Sequence, residues 1–227
     1  MTDDRLAFAR AHLSAGPVVL VPEVVLHQAE EPIGLWELTE GEYRSDQPPP
    51  FWAFAWAGGT ALARYLLDHP TAVQGRPVLD LAAGSGLVAI AALQAGASAA
   101  TAVEIDPLAA AAIELNASEN KVRVSAVVDD VLARGLDDLG LPSATVVLAG
   151  DVFYSQEMSR RMLTFLRRAA RDGADVLVGD PGRAYFPADY FTPLQTIDVP
   201  VRPALETVSV RPVTIYRINP RGAATQR

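Results

Sequence analysis

A chain of 227 residues, half of them hydrophobic and a fifth charged, carries enough apolar side chain to close one sizeable core. Its net charge of −8 argues against a nucleic-acid partner, because surfaces that meet a phosphate backbone are basic. The absence of cysteine excludes disulfides, zinc–thiolate centres and cysteine nucleophiles together, and fits a cytoplasmic setting.

Residues 3–13 read as a helix, with Leu6, Ala9, Ala11 and Leu13 apolar and Asp3 and Asp4 near its start. The polar beginning M-T-D-D-R-L does not read as a signal peptide, and the long apolar stretch 87–103, broken by Gln94 and Gly96, is not expected to span a membrane. His12, His27 and His69 are scattered without ligand spacing, so no metal site is expected. Residues 18–26 and 33–38 are short β-prone runs either side of Glu30-Glu31-Pro32, and predict a hairpin. Residues 41–50 are polar and end in three prolines, a semi-rigid connector. Residues 1–50 are therefore an N-terminal helix and hairpin extension expected to pack on a core of 51–227.

The aromatic stretch 51–59, F-W-A-F-A-W-A-G-G, comes next. Phe51, Trp52 and Phe54 are expected to bury against the sheet. Trp56 stands just before Gly58-Gly59 and a helix over 60–68, where an indole can cover the mouth of an adjacent cofactor pocket; burial in the core is the alternative.

The stretch around which the chain is organised is 77–97. Pro77–Leu81 is a short apolar strand broken by Asp80, residues 82–86 are small, and a helical Ala/Leu/Ile pattern follows. Strand, glycine turn and helix open a nucleotide-binding βαβ unit. Gly84-Ser85-Gly86-Leu87-Val88-Ala89 satisfies a G-x-G-x-x-A dinucleotide pattern, and Glu104 lies twenty residues beyond Gly84, where a ribose-binding acid belongs. Asp80 argues for a different ligand: a carboxylate there repels a pyrophosphate and suits a cationic ligand such as S-adenosylmethionine. Its alternative role is to cap the turn or the helix.

Residues 100–104 form a second strand that ends on Glu104, placed to accept hydrogen bonds from ribose hydroxyls. Asp106-Pro107 reads as a helix N-cap with proline at the first position, and Asn116 as a packing or capping group. A third strand, 122–128, ends in Asp129-Asp130. Alternation along a strand turns only one of these toward a ligand; Asp130 is the choice for an adenine amino group, with Asp129 the alternative. A fourth strand, 144–148, runs into A-G-D-V-F-Y, so Asp151 and Tyr154 sit at the rim of the cleft, its reacting end. The helix 157–172 is amphipathic, with its arginines expected on a solvated face. A fifth strand, 175–178, runs into G-D-P-G-R. Arg183 there is open to pairing with Asp180, pairing with Asp151, or binding substrate. Two last strands, 195–199 and 213–218, form a terminal antiparallel pair. The expected fold is α/β, Rossmann-like: a seven-strand, mostly parallel sheet with an antiparallel last strand and helices on both faces.

D-L-A-A-G-S-G, V-E-I-D-P, V-V-D-D and D-V-F-Y together resemble the seven-strand, family 16 S-adenosylmethionine-dependent methyltransferases. P-F-W-A-F-A-W-A-G-G-T-A-L-A-R-Y-L-L-D and G-D-P-G-R resemble the electron transfer flavoprotein β-subunit lysine methyltransferases and their bacterial relatives within it. The likeness runs from Pro50 to Arg183. It implies a cofactor site of Trp56, Asp80, the turn residues Ala82, Gly84, Ser85 and Gly86, Glu104, Asp130 and the Gly150 backbone, with Asp151 and Tyr154 at the methyl acceptor. Ala82 departs from the family's glycine, which a negative φ would tolerate. The activity so implied is N-methylation of a protein lysine, on a partner similar to the electron transfer flavoprotein β-subunit. A small-molecule amine as acceptor, or an NAD-binding protein, are the alternatives.

Overall fold

The computed structural model describes residues 2–30, 50–201 and 208–219. Its elements in chain order are α1 (Thr2–His12), β1 (Ser14–Val18), β2 (Val21–Gln28), α2 (Ala57–Asp68), β3 (Pro77–Leu81), α3 (Leu87–Gln94), β4 (Ala99–Glu104), α4 (Pro107–Glu119), β5 (Ser125–Val128), β6 (Val146–Gly150), α5 (Gln156–Arg171), β7 (Asp175–Asp180), β8 (Phe191–Pro200) and β9 (Val210–Ile218). A seven-stranded sheet takes the order β5-β4-β3-β6-β7-β9-β8. Its first five strands are parallel, and β9 runs antiparallel to both β7 and β8. The order reverses between β3 and β6, so a crevice opens beyond the carboxyl ends of those strands.

Strands buried on both faces read as continuous apolar runs, and the burial of β3 and β6 shows why. Alternation sends Val78 to a core shared with Leu62 and Leu66 of α2 and Val88 and Ala89 of α3. Leu79 and Leu81 face Met162, Phe165 and Leu166 of α5 on the other side. Asp80 shares the Val78 face and so looks at α3. Helix α3, whose first six residues are all buried, has no polar face to show a period. Helix α4 begins as the sequence implies: Asp106 Oδ1 accepts from Leu108 N at 2.8 Å, with Pro107 in the first turn.

The hairpin falls elsewhere than expected. β1 pairs with β2, Ser14 opposite Gln28 and Val18 opposite Val21, and the predicted partner run 33–38 lies outside the described residues. The sequence S-A-G-P-V has poor strand propensity, and pairing plus burial against Leu87 and Ile90 override it. The β5 strand is shorter than its apolar run, because Val122 N bonds back to Ala117 O and closes the end of α4. Two asparagines tie hairpin to core. Asn120 Oδ1 accepts from Val25 N, and Asn116 accepts from His27 N at 2.7 Å while donating to Ser85 O at 2.9 Å. No described helix is long and apolar enough to cross a membrane.

Candidate active site

At the carboxyl ends of the parallel strands lies a cavity of about 340 Å³. Among the residues that line it are eight of those read from the sequence: Trp56, Ala82, Gly84, Glu104, Asp130, Gly150, Asp151 and Tyr154. Asp80, Ser85 and Gly86 do not line it. Ser85 and Asp80 are buried, and shape the turn from behind.

The turn is held by its neighbour strand. Glu104 Oε1 accepts from Gly84 N at 2.7 Å and Oε2 from Ile105 N at 3.1 Å. Burial pushes the Glu104 carboxyl up and those amides pull it back. Each oxygen keeps a further lone pair for a ligand hydroxyl. Gly84 and Gly86 have φ of +54° and +78°, and Ala82 has φ +51°, not the negative value expected of it. A left-handed alanine crowds its Cβ against the next carbonyl. Ala82→Gly should therefore raise Tm by roughly 1–3 °C, the strain relieved outweighing glycine's added chain entropy; urea and thermal melts of the two proteins check this.

Asp80 Oδ2 accepts from Ala89 N, in the first turn of α3, at 3.0 Å. The capping role is the one it performs. Burial pushes its carboxyl up to about 8; the Ala89 amide opposes this and nearby Glu104 adds to it. A group largely uncharged at neutral pH and absent from the cavity wall is ill placed to select a ligand by charge; Glu104, on the wall, is the better-placed anion. Because the folded value lies above the unfolded one, the folded chain binds the extra proton between pH ~4 and pH ~8, and stability falls as pH rises through that window. Asp80→Asn keeps an acceptor for Ala89 N and removes the charge. Its advantage in unfolding free energy should grow from pH 5 to pH 8, by at most about 1.4 kcal/mol per pH unit; calorimetry showing an advantage constant with pH contradicts this.

The cavity wall beyond β6 is built by A-G-D-V-F-Y. Val152 and Phe153 are buried, the latter edge-on to Phe186 at 5.3 Å, and anchor the segment between Asp151 and Tyr154. Asp151 has φ +59°, a conformation that Asp and Asn tolerate better than most residues. Its Oδ2 accepts from Gly59 N at 3.0 Å, and its Oδ1 from Arg183 Nη2 at 2.6 Å. Trp56, the N-cap of α2, offers no side-chain acceptor; Asp151, directly after β6, supplies one where the helix dipole favours an anion. Burial pushes the Asp151 carboxyl up, and Arg183 and the Gly59 and Gly58 amides pull it down. Asp180 Oδ1 accepts from Gly182 N and Arg183 N, each at 2.8 Å, which turns Arg183 toward Asp151. Of the roles open to Arg183 in the sequence, pairing with Asp151 is the one observed. Tyr154 is half exposed, its ring 6.2 Å from that of Phe51.

Three expectations need correction. Phe51 is 44% exposed at the cavity rim rather than buried; its carbonyl accepts from Trp56 Nε1 at 2.8 Å, which ties the two rim aromatics together. Trp52 is buried as expected, and also lines the cavity, its Nε1 donating to Asp106 Oδ2 at 2.8 Å. Asp129 and Asp130 both line the cavity, because β5 stops at Val128 and strand alternation no longer applies. The arginine face of α5 is not simply solvated. Arg161 pairs with Asp130 at 2.5 Å, which holds that carboxyl down, and Arg168 donates to the Leu132 and Ala133 carbonyls. Asp129 pairs with Arg134.

A family model described as ribosomal protein L11 methyltransferase (PrmA) matches residues 58–149. The electron transfer flavoprotein beta subunit lysine methyltransferase of Danio rerio is 39% identical over 169 residues, covering 74% of this chain and 63% of that protein. The protein of the same name from Xenopus laevis is 37% identical over 181 residues, covering 79% of this chain and 71% of that one. The chain belongs to the electron transfer flavoprotein beta subunit lysine methyltransferase family. It spans less than two thirds of the Danio rerio member's length and somewhat more of the Xenopus laevis member's. Among solved structures, the 16S rRNA methyltransferase RsmC of T. thermophilus superposes with a TM-score of 0.56 at 16% identity, over 91% of this chain and 50% of that one. At that identity the likeness is one of fold: a Rossmann-like methyltransferase sheet. The PrmA match runs from α2 through β6 and stops just before Asp151, so what this lysine methyltransferase family member shares with that model is the glycine-turn half of the site.

Proposed function

We propose that this chain transfers a methyl group from S-adenosylmethionine to the side-chain amine of a protein lysine. The observation that carries the reading is Asp151, fixed by Arg183 and the start of α2 on the wall of a cavity whose other end is the glycine turn with Glu104. The cavity suits the cofactor: its volume lies in the range of small-molecule sites, and its acid, apolar indole and exposed turn match ribose, adenine and a cationic tail. When bound, S-adenosylmethionine supplies a methyl group on a cationic sulfonium, an electrophile for an amine lone pair.

In this reading the free lone pairs of Glu104 accept the ribose hydroxyls, and Asp130, beside Arg161, accepts from the adenine amino group. Trp56 walls the pocket, and Ala82, Gly84 and the Gly150 backbone allow close approach. Asp80, Ser85 and Gly86 act through the shape of the turn. Asp151 accepts a hydrogen bond from the incoming amine and orients it; Tyr154 lends its hydroxyl or ring face. A free lysine has a pKa of ~10.4, so a proton leaves to solvent before the lone pair is usable. We place this activity in the cytoplasm, in line with the absence of cysteine, on a protein partner such as an electron transfer flavoprotein β-subunit; the net charge of −8 speaks against a nucleic-acid acceptor.

The test is transfer of a radioactive methyl group into recombinant electron transfer flavoprotein β-subunit and into the macromolecular fraction of a lysate. Label in protein, chased to lysine by mass spectrometry, is expected. Label confined to the small-molecule filtrate identifies a metabolite as acceptor instead, and binding of NAD without S-adenosylhomocysteine rejects the reading.

A further inference from the structure

We propose that Arg183 is a positioning residue that neutralises Asp151, so that the cleft takes its methyl acceptor as an uncharged amine; this rests on the methyltransferase reading above. The loop after β7 is shaped for that one contact. Asp180 gathers the amides of Gly182 and Arg183, Gly182 takes φ +81°, and the Arg183 side chain returns to reach Asp151 Oδ1 at 2.6 Å. The partners' side chains are 28% and 10% exposed, so water screens the pair incompletely. Arg183 Nε is buried without a hydrogen-bond partner, a placement that the arginine's own hydrogen bonding does not favour.

The chemistry explains why such a contact is useful. An isolated carboxylate at the amine site stabilises the ammonium and holds the very proton that must leave. A carboxylate joined to a guanidinium carries no net charge, yet keeps lone pairs that orient an N–H. Asp151 thus directs the amine without trapping it in the unreactive form.

The other charged and titratable groups at this end of the sheet do not do this. Asp180 Oδ1 is taken up by the amides of its own loop; burial pushes its carboxyl up and Asp151 adds to this, while the Arg183 and Gly182 amides pull it back. Burial and Glu104 push the Tyr154 phenol up, which keeps it neutral. Glu104 is committed to Gly84 and Ile105, Asp106 to Trp52 and Leu108, and Asp129 and Asp130 are paired with Arg134 and Arg161. The start of α2 contributes partial positive charge through Gly58 and Gly59.

The experiment compares wild type, Arg183→Gln and Arg183→Lys, with recombinant electron transfer flavoprotein β-subunit as acceptor, measuring kcat and KM between about pH 7 and pH 10. The rise of kcat with pH reports the bound amine. In Arg183→Gln that limb should move up by about one to three pH units, so turnover near neutrality falls at least ~10-fold and recovers at high pH. Arg183→Lys keeps the charge, and its limb should stay within about half a unit of wild type. A binding titration of the acceptor with S-adenosylhomocysteine present gives a second readout: the Gln variant should bind more tightly than wild type at pH 7 and lose that advantage by pH 10. A Gln variant slowed by one factor at every pH, or unchanged, overturns the proposal, as does a Lys variant whose limb moves as far as the Gln limb is expected to. If Arg183→Gln does not fold, the Lys variant decides. Failure of wild type to methylate any protein or amine overturns the methyltransferase reading itself, and is distinguished by that.

Discussion

Asp151→Asn should lower kcat by about 10²–10³-fold while leaving affinity for S-adenosylhomocysteine within a few-fold. Asparagine tolerates the left-handed backbone that Asp151 adopts, so the loop can stay as it is. What changes is the side chain. Two donors, Gly59 N–H and the Arg183 guanidinium, now meet an amide with one acceptor oxygen and an NH₂, so one donor faces another. The group that should orient the amine rotates or is pushed off its position, and a displacement near 1 Å costs about two powers of ten in rate. Glu104, the glycine turn and Trp56 are untouched, hence the preserved cofactor affinity. Loss of the largely buried ion pair, with one donor left unsatisfied, should lower Tm by about 4–12 °C, as for ~2–3 kcal/mol. Wild-type turnover in this variant refutes the role of Asp151; a large loss of S-adenosylhomocysteine binding moves the residue to the cofactor side. Asp151→Ala is the poorer test, because alanine disfavours the same φ.

Gly58→Ala and Gly59→Ala, one residue apart, should have opposite outcomes. A Cβ on Gly58 would lie 2.6 Å from Asp151 Oδ2 and 2.8 Å from its Cγ, and would also strike the Gly179 carbonyl. Backbone on β7 and a carboxylate held by two partners cannot move aside. Destabilisation of about 3 kcal/mol or more is expected, with loss of activity because Asp151 is displaced. A Cβ on Gly59 would meet only Val88 Cγ2 at 3.7 Å, an ordinary contact. Alanine is the better helix former, so Gly59→Ala should be neutral or stabilising by up to ~1 kcal/mol. Urea melts of the pair decide it. The same crowding governs Gly150, where a Cβ would lie 2.7 Å from Gly59 Cα. Helix α2 starts almost in backbone contact with β6 and β7, and that closeness brings its free amides to Asp151.

Much of the fold is legible because it rests on local signals. Apolar runs bounded by glycine mark β3 and β6, Asp106-Pro107 marks the start of α4, and the twenty-residue step from Gly84 to Glu104 is the length of one α-helix and one strand. The site is legible wherever a side chain lies at a strand's carboxyl end. What stays hidden depends on partners distant in the chain. Gly58-Gly59 reads as helix punctuation until Gly150 and Gly179 are placed against it. Arg183 has several possible partners in the sequence and one in space. Asp80 has the composition of a ligand group and the surroundings of a cap, and a string of residues does not show burial. Phe51 and Phe54 look alike in sequence, yet only Phe54 is enclosed, by neighbours from α1 and α4.

Asn116 belongs to α4, but one face of its amide holds β2 and the other holds the peptide of Ser85. Loosening of the N-terminal hairpin and loosening of the glycine loop therefore become a single thermodynamic event, and any small molecule gripping the loop would slow amide exchange in the hairpin as well.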